Sequence, residues 1–332
     1  MSNKQNIGGQ AVMEGVMMRN RNRMAIACRD PEGGIKVIQQ KLLPLADRYP
    51  VLGLFFIRGI IVFFESMLWG VRALNISTEQ VLEAEGEEIT PAFTILSVLL
   101  GLVFAILLFF FLPTYLMRFL PQALPVLQER YVILNLLEGI LRIFIFVSYI
   151  WAISRWSEIK VFFAYHGAEH KAINCFEAGE ELEPENAGKY SVQHPRCGTS
   201  YLLIVMTVSI LLFSFFGWPT LWQRFLIRLT LLPVVAGLAY EFIRWTANSR
   251  SGIVKYLAYP GLMLQKLTTR EPEPQQVEVA LASLKSLLDT NMDANLETSP
   301  EASEAGNADA VGSLGTGSIP GKEGDTCAGE TG

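Results

Sequence analysis

The sequence predicts a mainly α-helical, polytopic membrane bundle. About four transmembrane helices and one interfacial or re-entrant helix follow a small N-terminal β-hairpin region and precede a disordered acidic tail. Three observations predict it. Hydrophobic residues make up 51% of the 332 residues and gather in long runs, whereas core helices of soluble proteins seldom run so long without a polar face. Lysines and arginines occupy some intervening segments and avoid others. Charge also divides along the chain: from Glu271 onward 12 acidic residues stand against two lysines, a net −10, so the formal −5 of the whole leaves +5 for everything before it.

Residues 1–50 read as a cytoplasmic region with a hairpin. Met24–Cys28 and Ile35–Gln39 are short apolar-rich runs joined by Arg29-Asp30-Pro31-Glu32-Gly33-Gly34, a turn composition. Val51–Leu74 is apolar but carries Arg58, Glu65 and Arg72 seven apart. Seven residues is almost two full turns, so the three form a stripe that suits an interfacial, re-entrant or bundle-lining helix. Crossing the hydrocarbon core takes about 20 mostly apolar residues, and four runs within 92–245 are candidates: Ala92–Met117, Tyr131–Ile153, Ser200–Gly217 and Leu221–Trp245. A cytoplasmic loop, 154–199, separates the second from the third. Residues 246–290 form a cytoplasmic helical segment, in which Val279, Leu281, Leu284, Leu287 and Leu288 make an amphipathic pattern over Glu278–Leu288. Residues 291–332 offer almost nothing apolar to bury.

The positive-inside rule orients these spans. Residues 1–50 hold eight Lys and Arg, and Arg155–Arg196 hold five, while the turn Trp218–Gln223 has none. Four spans put every basic segment, and both termini, on the cytoplasmic side. A fifth span at Val51–Leu74 would put the 154–199 loop outside. Residues 1–50 contain no continuous apolar core of signal-peptide length. With Cys28, Cys175, Cys197 and Cys327 in cytoplasmic segments, no disulfide is expected. Inside the spans, Glu138 and Arg142 stand four apart and can pair; alternatively Glu138, Arg142, Arg228 and Glu241 line a polar cavity.

All three histidines, His166, His170 and His194, fall in the central loop. The first two belong to Tyr165-His166-Gly167-Ala168-Glu169-His170-Lys171, a His-x-x-Glu-His pattern of the inverted zinc-peptidase type. Trp156–Ala178 has helical composition and Gly179 is a candidate C-cap. On that helix His170 lies about 40° from His166 and one turn along, so both can hold one divalent metal, with zinc the leading candidate. Glu169 lies about 60° to the other side, placed to act on water as a general base from outside the ligand shell. Cys175 faces away. Glu177 returns to the ligand face but lies roughly 10 Å beyond His170, a position for contact with a ligand or substrate.

A third ligand must come from His194-Pro195-Arg196-Cys197-Gly198-Thr199-Ser200 or from Glu241, where an unpaired carboxylate in a span would be costly. Three readings stay open. His166 and His170 with Glu241 or His194 leave an open catalytic position, with Arg196 as a further polar contact. His166, His170, His194 and Cys197 close a structural site. Alternatively the cluster is simply hydrogen-bonded. No phosphate loop is present: Gly8–Arg19 lacks Gly-Lys-Ser/Thr, and Gly317–Glu323 has the wrong spacing.

Through GGQAVMEGVMMR (Gly8–Arg19), YHGAEHK (Tyr165–Lys171), Glu177 and HPRCGTS (His194–Ser200), the chain resembles the bacterial YqhQ-like family over roughly residues 6–290. That family comprises uncharacterised integral membrane proteins labelled predicted metal-dependent enzymes. The resemblance implies a multi-pass protein of the bacterial plasma membrane with a metal centre. It also suggests the GGQAVMEG segment (Gly8–Gly15) as a lid over the site, with Glu14 and Arg19 as polar contacts. The leading expectation is a metal-dependent hydrolase at the cytoplasmic membrane face, acting on a membrane-proximal peptide or lipid and engaging no nucleic acid. The alternative is a non-catalytic membrane scaffold or assembly factor; a transporter ranks third, since no internal repeat is evident.

Overall fold

The computed structural model describes residues 7–85, 91–127, 129–217, 219–248 and 252–289, so the acidic tail and Cys327 lie outside the described residues. The chain opens with a four-stranded antiparallel meander: β1 (Gly8–Val12), β2 (Gly15–Arg19), β3 (Arg23–Arg29) and β4 (Ile35–Lys41), in that spatial order. The hairpin expected from the sequence is β3–β4, closed by the Asp30–Gly34 turn with Gly33 at φ +90°. A second hairpin precedes it. Val12 pairs with Gly15, leaving Met13 and Glu14 as a two-residue turn, with Glu14 at φ +46°. Gly15 is required here, because a Cβ would sit 2.1 Å from the Ala27 carbonyl.

Both faces of the two central strands are apolar, and both are covered. Val16, Met18, Ala25 and Ala27 pack in one core with Tyr165, Ala168 and Ala172 and with Val277, Ala280, Leu281 and Leu284. Their neighbours Met17, Met24, Ile26 and Cys28 form a second core with Ala73, Trp69 and Ile76. Alternation places successive side chains on opposite faces, so a strand buried on both sides reads as a continuous apolar run. Each fully buried Met or Ile contributes about 1.5–3 kcal/mol.

The helices are α1 (Ile57–Glu85), α2 (Pro91–Ile106), α3 (Tyr131–Ile153), α4 (Ser157–Ala178), α5 (Gly198–Phe213), α6 (Leu221–Asn248), α7 (Gly252–Thr268) and α8 (Pro274–Leu288). α2 continues through a π turn, Leu107–Phe111, into Leu112–Leu116. α8 begins four residues before the amphipathic pattern read from the sequence and caps the sheet. There Ser283 donates to the Ala25 carbonyl and Gln39 donates to Ser286.

Four helical stretches are long and apolar enough to cross a membrane: Ile57–Glu83, Ile95–Ala123, Tyr131–Ile153 and Leu221–Trp245. Three match expected spans. The other expected span is the shorter α5, whose 16 residues cover about 24 Å. In its place Ile57–Glu83 passes on length and composition, although its second half packs on the sheet.

The expected pairing of Glu138 with Arg142 is present, as part of a larger cluster. Glu138 also holds Arg224 and Arg228, and it accepts a hydrogen bond from Thr114. Glu241 is elsewhere, gripped through both oxygens by Arg58 at 2.7 Å each. The Arg58–Glu65–Arg72 stripe stands on one continuous helix, α1, with a separate partner for each member: Glu65 accepts from the Leu45 amide, and Arg72 lies over the Trp69 ring.

Candidate metal centre

α4 carries the first two histidines and ends as its sequence suggests. Gly179 takes φ +80°, and the Glu180 amide returns to the Cys175 carbonyl, satisfying the last turn. Nearly every residue from Phe163 to Cys175 is buried, because the sheet, α8 and the 179–197 loop surround the helix. The loop is fastened to α4 by Lys171, which donates to the Gly188 carbonyl, and by Asn174, which donates to the Ser191 and Gln193 carbonyls. It is fastened to α7 by Gln265, fully buried, which both accepts from the His194 amide and donates to the His194 carbonyl.

These constraints bring His166, His170 and Cys197 together. One ring nitrogen from each histidine and the Cys197 sulfur lie within 4.8 Å of one another, and all three residues are buried. Each imidazole is oriented by a backbone carbonyl. Nδ1 of His166 lies 2.8 Å from the Thr268 oxygen, and Nδ1 of His170 lies 2.6 Å from the Val192 oxygen. A carbonyl only accepts, so both Nδ1 atoms carry hydrogen and both Nε2 atoms are free to ligate. Nε2 of His166 is 3.2 Å from the Cys197 sulfur, and Nε2 of His170 is buried with no protein partner. Cys197 is the N-cap of α5, and its sulfur accepts from the Thr199 amide. Two oriented imidazoles, an orphaned nitrogen and a helix-capping thiol fit a divalent ion of zinc type.

The remaining expected residues divide into those near the centre and those away from it. His194 sits beside His170, ring centroids 5.8 Å apart, but does not join the three ligands. Its Nδ1 accepts from the Arg196 amide, and its buried Nε2 lies 3.6 Å from a Glu177 oxygen, beyond hydrogen-bond range. Burial, with His170 adding to it, pushes the His194 pKa down to about 4, so it is neutral. Glu169 lies against β1, where a Cβ on Gly9 would come within 2.9 Å of its carboxylate, and its Oε2 is buried without a partner. Burial lifts its pKa to about 7, against the opposing pull of His166 and the Gly9 amide. Glu177 pairs with Arg196.

Gly9, Arg19, Glu169, His170, His194 and Cys197 all face one cavity of about 590 Å³. The β1–β2 hairpin thus supplies a wall, and Arg19 is held there by a 2.7 Å bond to Ser66. Glu14 is not brought to the cavity: its carboxylate accepts from Tyr165, one turn before Glu169, and the turn that carries it is exposed. Glu241 is not brought to the ligands either. Glu241→Gln is therefore expected to leave the metal content of the purified protein unchanged; a loss matching that of His166→Ala would place Glu241 in the centre.

Sequence reasoning missed the orienting groups at Val192, Thr268 and Gln265. The first two act through backbone oxygens that any residue provides. Gln265 did leave a trace, as a lone amide among the apolar residues of α7.

No solved structure matches the chain. It is 34% identical over 301 residues to "Uncharacterized protein YqhQ" of Bacillus subtilis (strain 168), covering 85% of this chain and 92% of that relative. A family model described as a protein of unknown function, DUF1385, matches residues 54–290, a stretch that holds all three candidate ligands and begins after the sheet. The chain belongs to this DUF1385 family of proteins of unknown function.

Proposed function

We propose that the protein is a membrane scaffold or assembly factor whose cytoplasm-facing cap is organised by a divalent metal, zinc by donor chemistry, held on His166, His170 and Cys197. The observation that carries this reading is the buried convergence of those three side chains. Two stand on α4 and the third begins α5, so a shared ion would tie the cap to the membrane helices. Neutral imidazole and thiolate suit zinc, and an ion bound only by the folded state stabilises that state. The basic 1–50 and 154–199 segments support a cytoplasmic placement of the cap in a bacterial plasma membrane.

A second reading, a metal-dependent hydrolase, is favoured by the unpartnered Glu169 Oε2 beside the cavity. When bound, the ion would supply Lewis acidity. Glu169 would hold or move a proton at Oε2, and Arg19 and Arg196 would orient a membrane-proximal substrate from the cavity wall.

Metal analysis of the full chain, purified without chelators, tests both. The wild type is expected to carry one equivalent. His166→Ala and Cys197→Ala are expected to carry none, and Glu169→Gln to keep it. Free metal at a hundredfold over Kd should stabilise the folded protein by about 2.7 kcal/mol. A wild type that contains no metal and takes up none from zinc buffer overturns the metal centre. Hydrolysis that disappears in Glu169→Gln with metal retained would favour the second reading over the first.

A further inference from the structure

A second cavity, of about 770 Å³, adjoins the metal cavity, and the two share Arg196, Cys197, Gly198 and Tyr201 in their walls. Along α5 it is lined by Ile204, Thr207, Val208 and Leu211, spaced i, i+3, i+4 and i+7, which is one stripe of the helix. Phe242 and Ile243 of α6 form a second wall. α7 closes the polar end by a close approach at Gly261, where a Cβ would lie 2.7 Å from the Ser200 hydroxyl. From Ser200 to Leu211 the helix rises about 16 Å. That is roughly half the ~30 Å hydrocarbon core, the depth of one leaflet.

The cavity is therefore polar at one end and apolar along its length. The polar end carries two opposite charges, Arg196 and Glu177, paired with each other yet still partly open, their side chains 35% and 28% exposed. An occupant with one long apolar chain and a headgroup bearing both signs would satisfy every part. An anionic headgroup would leave Glu177 opposed. A peptide would bring backbone donors and acceptors that the apolar walls cannot satisfy.

We infer that this cleft binds one zwitterionic phospholipid from the leaflet on the metal side. One acyl chain lies along the Ile204–Leu211 stripe, the phosphate rests on Arg196 and an ethanolamine ammonium rests on Glu177. The inference goes beyond the metal centre and does not require it, since none of the proposed lipid contacts ligates metal.

Native mass spectrometry of the full chain in mild detergent, titrated separately with phosphatidylethanolamine, phosphatidylglycerol and phosphatidylcholine, tests it. Metal content is read on the same samples, so a failed lipid site and a failed metal site are told apart. The wild type is expected to retain one phosphatidylethanolamine, at least tenfold more tightly than phosphatidylglycerol, with phosphatidylcholine between them. Thr207→Trp and Val208→Trp both fill the groove from α5. Each should weaken retention at least tenfold while keeping the wild-type metal content, which also reports a folded cap. Glu177→Gln should abolish the preference for phosphatidylethanolamine over phosphatidylglycerol, whereas Arg196→Gln should weaken retention of all three lipids. Equal lipid retention by wild type and a metal-loaded Thr207→Trp would overturn the proposal, as would a wild-type preference for phosphatidylglycerol.

Discussion

Gly167→Ala is expected to destabilise the cap formed by the sheet, α4 and α8 by about 3 kcal/mol and to weaken metal binding 10–100-fold. Intrinsic propensity argues the opposite sign, since alanine in a helix interior is favoured over glycine by about 1 kcal/mol. The geometry decides against propensity. Gly167 lies between the two histidines of α4, and a Cβ there would sit 2.0 Å from the Arg270 carbonyl oxygen, a backbone atom that cannot swing aside. That stretch is pinned to α4: the Arg270 amide donates to the Phe163 carbonyl and its guanidinium to the Ser154 carbonyl. Two residues earlier, the Thr268 oxygen orients His166. Pushing the end of α7 off α4 thus withdraws the acceptor that fixes the His166 tautomer. Thermal unfolding and metal titration of the same preparation check both effects. A variant with wild-type Tm and wild-type metal affinity would show that the chain end of α7 yields at no cost.

Glu138→Ala is expected to cost about 3–5 kcal/mol, the penalty for leaving buried charge uncompensated. Glu138 is fully buried, with Arg228 at 2.7 Å, Arg142 at 3.0 Å and Arg224 at 3.2 Å around one carboxylate. Removing it leaves three guanidinium groups among α2, α3 and α6 with no counter-charge at their centre. Glu138→Gln keeps the shape and should recover only part of the loss. Combining it with Arg228→Met removes one of the orphaned cations, so the double variant should accumulate and resist heating better than Glu138→Gln alone. Yield in membranes and detergent-phase Tm read the series. A double variant no better than the single one would mean that shape, not charge, holds the cluster.

What the sequence made legible follows from the range of the forces involved. The helix of the motif, its Gly179 cap and the pairing of His166 with His170 depend on neighbours within a few residues, and all stand where the spacing puts them. The β1–β2 hairpin was hidden for two physical reasons. Its turn is Met13-Glu14, without the glycine or asparagine that usually marks a two-residue turn, and β2 is apolar on both faces because both are covered, while β1 opens with Gly-Gly-Gln. Glu241 appeared to lack a partner because Arg58 lies 183 positions away, and no local periodicity encodes that meeting. Cys197 was weighed only within a closed four-ligand set. Its position just before the Gly-Thr-Ser start of an apolar run, a helix N-cap, was the available sign that it could ligate without His194.

The core shared by the sheet, α4 and α8 has a topological consequence. Residues of all three are buried against one another, so all three occupy the same side of any bilayer the chain enters. A polypeptide that leaves one compartment and returns to it has made an even number of passages. Three long helices, α1, α2 and α3, intervene between the sheet and α4, and three more, α5, α6 and α7, intervene between α4 and α8. Neither trio can pass through entire. In the first, α1 already lays Trp69, Ala73 and Ile76 on the sheet; in the second, α7 returns Gln265 and Thr268 to the loop and to His166. Parity, which no hydropathy profile contains, then allows at most two crossings in each trio.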